Sequence, residues 1–442
     1  MHSRQSLHRV LALTAALGAG ATSFATSAAA QSTAGKPGTA PSASTAATRS
    51  ASAAADAAPA RLTAAPFMRG DQIFNADASG SVYVRAGPEG KPRLVLAGGG
   101  YATVAPSSDG KYIAYTLPTS TSAVPGGSAN AGADLHVRSF LTGRDLPDVL
   151  HNAIVSRKAW THNEKGFFYT RVDPAEQRQR VYYHGLGKDQ SRDALVLSQF
   201  DQPDWRYDAS VSDDGKFVVF TIGHAIDAHT RLYFIDLDNP DHPTINAPVV
   251  HLIDAFSARY EFVDNAGSYF FLQTDRDAPR GSVVLANTDV TRVSSWPVVI
   301  PQSTDSLLYV RTAGEQFVLP VYRSANANVA RVYGPPGAAA VRAEFQQRLD
   351  SIRKERADAE RNGRRNKDVS EAMRMREPAA IRLERAGDFP LPAGASILAM
   401  NTVADKEEVF YTLRMADGSQ RSFFYNVNNK RTEPFPPGPQ TR

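Results

Sequence analysis

The 442-residue sequence contains no cysteine. It therefore offers no disulfide, no thiol nucleophile, no cysteine-ligated zinc site and no iron–sulfur cluster. After the N-terminal segment it also lacks any run of 18 consecutive apolar residues, the length expected of a membrane-spanning helix. The fold must consequently be stabilised by a large apolar core rather than by cross-links.

The N-terminal segment has the layout of a secretory signal peptide. Arg4 and Arg9 give it a basic start, residues 10–21 are apolar, and a run of small residues ends at Ala30. We expect cleavage after Ala30, which makes residues 1–30 the signal peptide and the mature protein periplasmic or secreted. Retention as a membrane anchor is the alternative, and the short apolar run disfavours it.

Residues 31–65 are dominated by Ala, Ser, Thr, Pro and Gly. Such a segment has hardly any large apolar side chain to bury, so we expect a disordered tether. The body of the protein is predicted to span residues 66–436, and residues 437–442 are left as a tail.

Turn signals recur in the body at intervals of about 50 residues. The glycines of the four clearest copies are Gly110, Gly166, Gly215 and Gly267, and a looser copy surrounds Lys406. Between them lie short segments rich in aromatic and β-branched residues, four to a unit, as at residues 204–212, 216–222, 230–238 and 247–254. A period near 50 without helical stretches predicts four-stranded antiparallel sheets arranged radially, which is an all-β propeller. Counting a shortened first unit and irregular last units gives seven blades.

Residues 338–385 interrupt the sixth predicted blade. They are rich in Arg, Glu and Ala and poor in aromatics, which predicts a charged helical insertion. Their surplus of basic over acidic residues equals the formal net charge of the whole chain, +4. We interpret the insertion as a solvated surface helix, with a contact site for an acidic surface or partner as the alternative. Nucleic-acid binding is not expected, because no known binding module accompanies the charge.

Three segments resemble consecutive parts of prolyl oligopeptidase propellers. They are VYYHGLGKDQSRDALVL (181–197), SVSDDGKFVVFTI (210–222) and RLYFIDLD (231–238). The first segment carries the family's spacing of Tyr182, His184, Leu186, Gly187, Gln190 and Asp193. The resemblance implies a seven-bladed propeller with an unlatched ring, which in that family caps a serine peptidase domain and restricts access to short peptides.

The sequence also departs from that family. Its members carry a catalytic serine in a Gly-x-Ser-x-Gly elbow within an α/β-hydrolase domain, and no such motif occurs in the 442 residues. The nearest look-alike, residues 126–132, has a glycine in the wrong place, and the α/β alternation of strands and helices is missing. The resemblance therefore assigns no catalytic residue, and we expect no peptidase activity from this chain by itself.

Other candidate sites are interpreted as structural. His224 and His229, with Asp227 between them, lack the spacing of a two-histidine zinc site and are interpreted as loop residues, so neither a metal nor a cofactor is expected. Carboxylates in turn signals are interpreted as turn formers, with a catalytic pair as the minor alternative: Asp193, Asp213 and Asp214. Tryptophans at strand ends are expected to pack in the core or line the tunnel: Trp160, Trp205 and Trp296.

Two functions remain open. The first is an exported binding module whose propeller face or central tunnel holds a peptide or a partner protein. The second is the non-catalytic, substrate-gating part of a serine endopeptidase that works with a separately encoded α/β-hydrolase domain.

Overall fold

The computed structural model describes residues 65–435 except for 78, 99–100, 102, 118–131, 177, 200–201, 203, 225, 227, 291, 315, 336–382 and 404–405. This part of the chain is β-structure throughout, and its helical elements are two 3-10 turns, Gln190–Arg192 and Val293–Ser295. None of its helices is long and apolar enough to span a bilayer. The predicted signal peptide, the cleavage site at Ala30 and almost all of the predicted tether lie outside the described residues.

The described residues form twenty-seven strands, each paired antiparallel with its chain neighbours in one of six sheets. Sheet 1 contains β1 (Phe67–Arg69), β2 (Gln72–Ala76), β3 (Val82–Ala86) and β4 (Arg93–Leu96). Sheet 2 contains β5 (Val104–Pro106), β6 (Tyr112–Leu117), β7 (Ala133–Ser139), β8 (Asp145–Ile154), β9 (Gly166–Val172), β10 (Gln179–Gly185) and β11 (Ala194–Leu197). Sheet 3 contains β12 (Arg206–Val211), β13 (Phe217–Gly223), β14 (Thr230–Asp236) and β15 (Val250–Ile253).

The remaining sheets are also four-stranded. Sheet 4 contains β16 (Tyr260–Ala266), β17 (Tyr269–Thr274), β18 (Ser282–Asn287) and β19 (Val298–Ile300). Sheet 5 contains β20 (Ser306–Ala313), β21 (Phe317–Ser324), β22 (Ala327–Gly334) and β23 (Glu384–Asp388). Sheet 6 contains β24 (Ser396–Thr402), β25 (Glu408–Arg414), β26 (Gln420–Asn426) and β27 (Arg431–Pro434).

The sheets pack face against face, and β13 shows how the sequence achieves this. Successive side chains of a strand point to opposite faces of its sheet. Val218 and Phe220 accordingly pack in one apolar cluster with residues of sheet 2, while Phe217 and Val219 pack in another with residues of sheet 4. A continuous apolar run such as that of β13 is therefore typical of a strand that is buried on both faces. The four extended segments predicted between residues 204 and 254 are confirmed as the strands of sheet 3.

The prediction of seven four-stranded blades is wrong. The described residues form five four-stranded sheets of an all-β propeller and one seven-stranded sheet, sheet 2. Residues assigned to two separate blades are joined there, because β8 pairs with β9 through Ala153–Arg171 and Ile154–Thr170. Between β8 and β9, residues 155–165 contribute only an isolated bridge from Trp160 to Phe167.

Residues 155–160 form no strand of their own because their polar groups bond to the neighbouring sheet. The Lys158 carbonyl accepts a hydrogen bond from the Val211 N–H at 2.6 Å. The Ser156 hydroxyl donates to the Ala209 carbonyl at 2.5 Å. Both partners belong to β12, so this segment is attached to sheet 3 as well as to sheet 2.

The predicted turns recur, with one correction. Ser212 accepts a hydrogen bond from the Phe217 N–H and donates to Asp214, and Gly215 supplies the positive φ of 71° that closes the turn. The same arrangement occurs at Ser107, Asp109 and Gly110. In the copy between them, the residue with positive φ is Glu164 at 58°, whereas the glycine singled out from the sequence, Gly166, begins β9.

Sheets 1 and 6 close the ring through side chains. The Asn401 amide donates to the carbonyls of Ala65 at 3.1 Å and Pro66 at 3.2 Å. Below it lies an apolar cluster drawn from both sheets: Met68, Ile73, Val403, Phe410 and Phe435. Each of the two sheets is built from consecutive strands, so among residues 65–435, as far as they are described, no strand is exchanged across this seam.

The predicted helical insertion at 338–385 is also corrected. Residues 336–382 lie outside the described part of the chain, and the described residues contain no insertion helix. Where the description resumes, Glu384 and Arg385 belong to β23, which pairs with β22 through Gly334 and Glu384. The interruption therefore lies within a β-hairpin whose two ends are adjacent.

Deleting residues 338–377 should leave the propeller folded, because the paired ends of β22 and β23 can be joined by a short loop. We expect one cooperative thermal transition and an unfolding temperature close to that of the full chain. Differential scanning calorimetry of both proteins measures this. Loss of the cooperative transition in the deletion variant would contradict the assignment of this interruption to the connection between β22 and β23.

Gly215→Ala should destabilise the protein more than Gly267→Ala. Both glycines have positive φ, where an alanine costs about 1 kcal/mol. At Gly215 a Cβ would in addition lie 2.5 Å from Cγ of His162, whereas at Gly267 it would meet no atom within 4 Å. Urea unfolding of the two variants compares the losses, and equal losses would refute the close packing of this turn.

Candidate binding site in the central channel

The first strands of the sheets border a common channel. Two adjoining cavities occupy it, with volumes of about 330 and 250 Å³. The first is lined by β1, β5, residues 157–160 and β12, and the second by β1, β12, β16, β20 and β24. Four charged residues border both cavities, which makes them parts of one site: Arg69, Arg157, Lys158 and Asp213.

A lysine and two carboxylates form a compact cluster in the channel wall. The Lys158 ammonium lies 2.9 Å from Asp213 and 3.4 Å from Asp264. Asp264 also accepts the backbone N–H groups of Asp213 at 3.1 Å and Asn265 at 3.0 Å, and the Thr312 hydroxyl lies 3.3 Å away. These contacts join sheets 3, 4 and 5 at the inner edge of the propeller.

The two carboxylates differ in their affinity for a proton. Burial, and then repulsion by the Asp213 carboxylate, raise the pKa of Asp264 to about 8. Burial also opposes ionisation of Asp213, but attraction by the Lys158 ammonium outweighs it and lowers the pKa of that carboxyl. Asp213 is therefore the more acidic of the two carboxyls, and Asp264 is the one that holds a proton more readily.

Most of this site could not be recognised from the sequence. Asp213 was predicted to be a turn former, and no pattern singled out Lys158, Asp264 or the arginines that border both cavities. The available signal in the sequence was the adjacent basic pair Arg157 and Lys158. The roles of Asp214 and Asp193 are structural: Asp214 accepts hydrogen bonds within its own turn, and Asp193 binds His184.

The three tryptophans are buried, as predicted. Trp160 borders the first cavity, and its indole N–H donates to the Ala105 carbonyl at 2.8 Å. Trp205 packs beneath the Arg231 guanidinium, with its ring centre 4.6 Å away. The indole N–H of Trp296 donates to the Val290 carbonyl at 2.8 Å.

The described residues hold no group of three or more histidines and carboxylates that could ligate a metal ion. His224 contacts the edge of Phe256, with the ring centres 4.2 Å apart, and accepts a hydrogen bond from the Ile226 N–H. Asp227 lies outside the described residues, and so does most of the serine look-alike at 126–132.

The family motif that contains His184, Gly187 and Asp193 contributes to a buried polar network in sheet 2, called the motif network below. The two ring nitrogens of His184 lie 2.9 Å from Asp148 and 2.8 Å from Asp193. Asp148 also accepts the Gly187 N–H at 2.6 Å, and the Tyr169 hydroxyl donates to Asp193 at 2.8 Å. Asp148 belongs to β8, so the network attaches the β10–β11 hairpin to the preceding part of sheet 2.

The glutamine of the same motif strengthens this attachment. The Gln190 side chain accepts the backbone N–H of His151 at 3.1 Å and donates to the carbonyl of His151 at 3.0 Å. It thereby satisfies main-chain groups of β8 in the way a neighbouring strand would. The motif residues are therefore structural in this protein, and their position explains why β5–β11 form one sheet.

The His184 imidazole is charged at neutral pH. Burial by itself would lower its pKa, but hydrogen bonds to Asp148 and Asp193 outweigh burial and raise the pKa to about 9. The pKa of Asp148 is lowered, because hydrogen bonds from His184 and the Gly187 N–H outweigh the effect of burial. A buried cation held between two carboxylates is thus the polar centre of sheet 2.

A family profile described as "Prolyl oligopeptidase, N-terminal beta-propeller domain" matches residues 99–414. The chain belongs to this family. The match covers sheets 2 to 5 and reaches into sheet 6, so it includes the motif network and most of the channel wall. The resemblance noted in the sequence is therefore confirmed.

Relatives of known sequence are similar over part of their length. Prolyl oligopeptidase A of Galerina marginata (strain CBS 339.88) is 26% identical over 206 residues, which cover 43% of this chain and 28% of the relative. The prolyl endopeptidase of Elizabethkingia meningoseptica is 25% identical over 278 residues, which cover 58% of this chain and 37% of the relative.

Solved structures of similar fold are also longer than this chain. A structure from a study of two prolyl endopeptidases superposes with a TM-score of 0.64 at 21% identity, over 88% of this chain and 52% of that one. Prolyl oligopeptidase B of Galerina marginata, bound to a 35mer substrate, superposes with a TM-score of 0.61 at 18% identity, over 87% and 52%. The chain thus spans about half the length of these structures and less than two fifths of the two curated relatives.

The motif network predicts a pH-dependent stability. The pKa of His184 in the fold lies above its ordinary value of 6.5, so the stabilisation is complete below pH 6.5 and is lost as the pH rises through about 9. His184→Gln should cost about 3–5 kcal/mol near pH 6.5, because it leaves two buried carboxylates without their cation. Urea unfolding between pH 6 and pH 9.5 measures both effects.

The matched control is His151→Gln. The His151 side chain is 64% exposed and pairs with Asp134 at the surface, so this variant should keep the wild-type pH dependence. If His184→Gln kept the full loss of stability between pH 6.5 and pH 9, that loss would have another origin and the assignment to His184 would be wrong.

Proposed function

We propose that the mature protein is an exported propeller that binds peptide segments in its central channel and does not hydrolyse peptide bonds by itself. The observation that carries this proposal is the channel, in which two adjoining cavities of about 330 and 250 Å³ share a rim of charged side chains. Concave sites of several hundred cubic ångströms with a few convergent polar groups are typical of ligand pockets.

Family membership supports a peptide as the ligand. The relatives are named prolyl oligopeptidases and prolyl endopeptidases, and one solved relative was captured with a 35mer substrate. The 442 residues contain no Gly-x-Ser-x-Gly motif, which is the basis for proposing binding without cleavage. Export is proposed from the N-terminal segment that ends at Ala30.

A second candidate function is favoured by the same family relation. The chain would be the substrate-gating part of a serine-type endopeptidase and would work with an α/β-hydrolase domain on another chain. This candidate predicts that a hydrolase co-purifies with the protein and that the mixture cleaves a Gly-Pro reporter peptide.

Peptide binding is tested with residues 31–442 and a fluorescein-labelled hexapeptide of Ala, Gly and Pro. Fluorescence anisotropy should show saturable binding, while a fluorophosphonate probe should label no serine and the Gly-Pro reporter should stay intact. Thr402→Trp fills the second cavity and should weaken binding about 10-fold or more, because the ligand loses its space.

The control for this variant is Leu141→Trp. Leu141 is 93% exposed and lines neither cavity, so the added ring should leave binding unchanged. Undiminished binding by Thr402→Trp would rule out the channel as the site. Labelling of any serine by the fluorophosphonate would overturn the proposal that the chain lacks hydrolytic activity.

A further inference from the structure

The inner strand of sheet 3, β12, has one apolar face and one polar face. Tyr207, Ala209 and Val211 pack in the apolar cluster that sheet 3 shares with sheet 2. Asp208 and Ser210 alternate with them along the strand and therefore project from the opposite face. Ser210 lines the second cavity, so this polar face borders the channel.

The Asp208 carboxylate has no cation beside it. Its side chain is exposed, and the Ser210 hydroxyl donates to it at 3.2 Å. Within the described part of the chain, no lysine, arginine or histidine nitrogen lies within 4.0 Å of this carboxylate. The Arg206 guanidinium, on the same face of the strand, donates to the Trp205 carbonyl at 3.0 Å.

The surrounding protein affects the Asp208 carboxyl despite its exposure. Burial raises its pKa, and the hydrogen bond from Ser210 opposes this effect only in part. A carboxyl that is open to solvent and still surrounded by protein faces an internal channel rather than the outer surface. A ligand in the channel can therefore reach it.

A second hydroxyl lies next to this pair. Ser156 Oγ lies 3.5 Å from Ser210 Oγ, and both residues are half-buried. A hydroxyl has one proton to donate. Ser156 donates its proton to the Ala209 carbonyl at 2.5 Å, and Ser210 donates to Asp208. The two hydroxyl oxygens therefore face each other with lone pairs only, and with the carboxylate they form a group of three acceptor oxygens.

The positive charges of the channel are placed differently. Lys158 pairs with Asp213 at 2.9 Å, beyond the last residue of β12, whereas Asp208 lies in the first half of that strand. Three arginines line the second cavity and are called the channel arginines: Arg69, Arg157 and Arg311. A cationic group of a ligand is repelled by the arginines and attracted by Asp208, which restricts where in the channel it can lie.

We propose that Asp208, Ser210 and Ser156 bind an ammonium group of the peptide, either its N-terminus or a lysine side chain. An ammonium carries three N–H donors and a positive charge on one compact centre, which matches three acceptors, one of them charged. A water molecule supplies only two donors and no charge. This inference rests on the proposed function and names a group of the peptide that the channel recognises.

The test compares three hexapeptides labelled at the C-terminus. The first has a free N-terminus, the second is N-acetylated, and the third is N-acetylated with lysine in place of its first alanine. Their binding to residues 31–442 is followed by anisotropy. A peptide with an ammonium should bind about 10-fold more tightly than the second peptide, because the charge-assisted hydrogen bonds need the cation. The difference should shrink at high salt, because charges are screened.

The first and third peptides distinguish the two sources of the ammonium. Tighter binding of the first peptide assigns the N-terminus, and tighter binding of the third assigns the lysine side chain. Either result supports the proposal.

Variants locate the effect. Asp208→Asn should bring the ammonium peptide to within about 2-fold of the acetylated one, and Asp208→Glu should restore part of the difference. The matched control is Asp241→Asn, which alters an exposed residue between β14 and β15 that lines neither cavity and should leave all affinities unchanged. Unfolding temperatures verify that each variant is folded, and Ser156→Ala replaces Asp208→Asn if the latter unfolds.

The outcomes separate the two proposals. Equal binding of all three peptides by the unaltered protein would overturn the ammonium site and leave peptide binding intact. Binding of none of them would overturn the proposed function and this inference with it. A preference for the ammonium that keeps its full size in folded Asp208→Asn would place the cation elsewhere and refute the assignment to these three residues.

Discussion

The structure depends on the burial of both faces of each sheet by its neighbours. A small antiparallel sheet with apolar side chains on both faces is not stable alone, and sheet 3 has such faces because β13 alternates between two apolar clusters. The same condition applies at the seam, where Phe410 packs in a cluster shared by sheets 1 and 6. Without disulfides, this mutual burial is the main source of stability.

Polar groups decide how the sheets are joined. In sheet 2, the cation of His184 lies between Asp148 and Asp193 and attaches the β10–β11 hairpin to β8. At the inner edge, Lys158 forms an ion pair with Asp213, whose backbone N–H donates to Asp264 and so connects sheets 3 and 4. Buried ion pairs of this kind contribute little net free energy compared with apolar packing, but loss of one partner is costly. They therefore fix which sheet contacts which, while the apolar clusters supply the stability.

Local features could be predicted from the sequence. The strands of sheet 3 follow from runs of aromatic and β-branched residues, and the turn at Gly215 follows from the need for a positive φ. The turn containing Glu164 was misplaced, because a non-glycine residue occupies the left-handed position and gives no sequence signal.

Features that depend on distant partners could not be predicted. The pairing of Ala153 with Arg171 joins two predicted blades, and no local pattern distinguishes it from an ordinary loop connection. The channel arginines were missed for the same reason: Arg69 and Arg311 are far apart in the chain, and only the closed ring brings both to one cavity. Sequence periodicity describes single strands, whereas the site is a property of their assembly.

The seam also sets an order of events during synthesis. Asn401 bonds to the carbonyl of a residue 336 positions earlier in the chain, so this bond has to wait until nearly the whole domain has left the ribosome. Until then the apolar face of sheet 1 that Phe410 covers in the folded protein stays exposed to solvent. This face lies in the N-terminal part of the propeller and is prone to aggregation during synthesis.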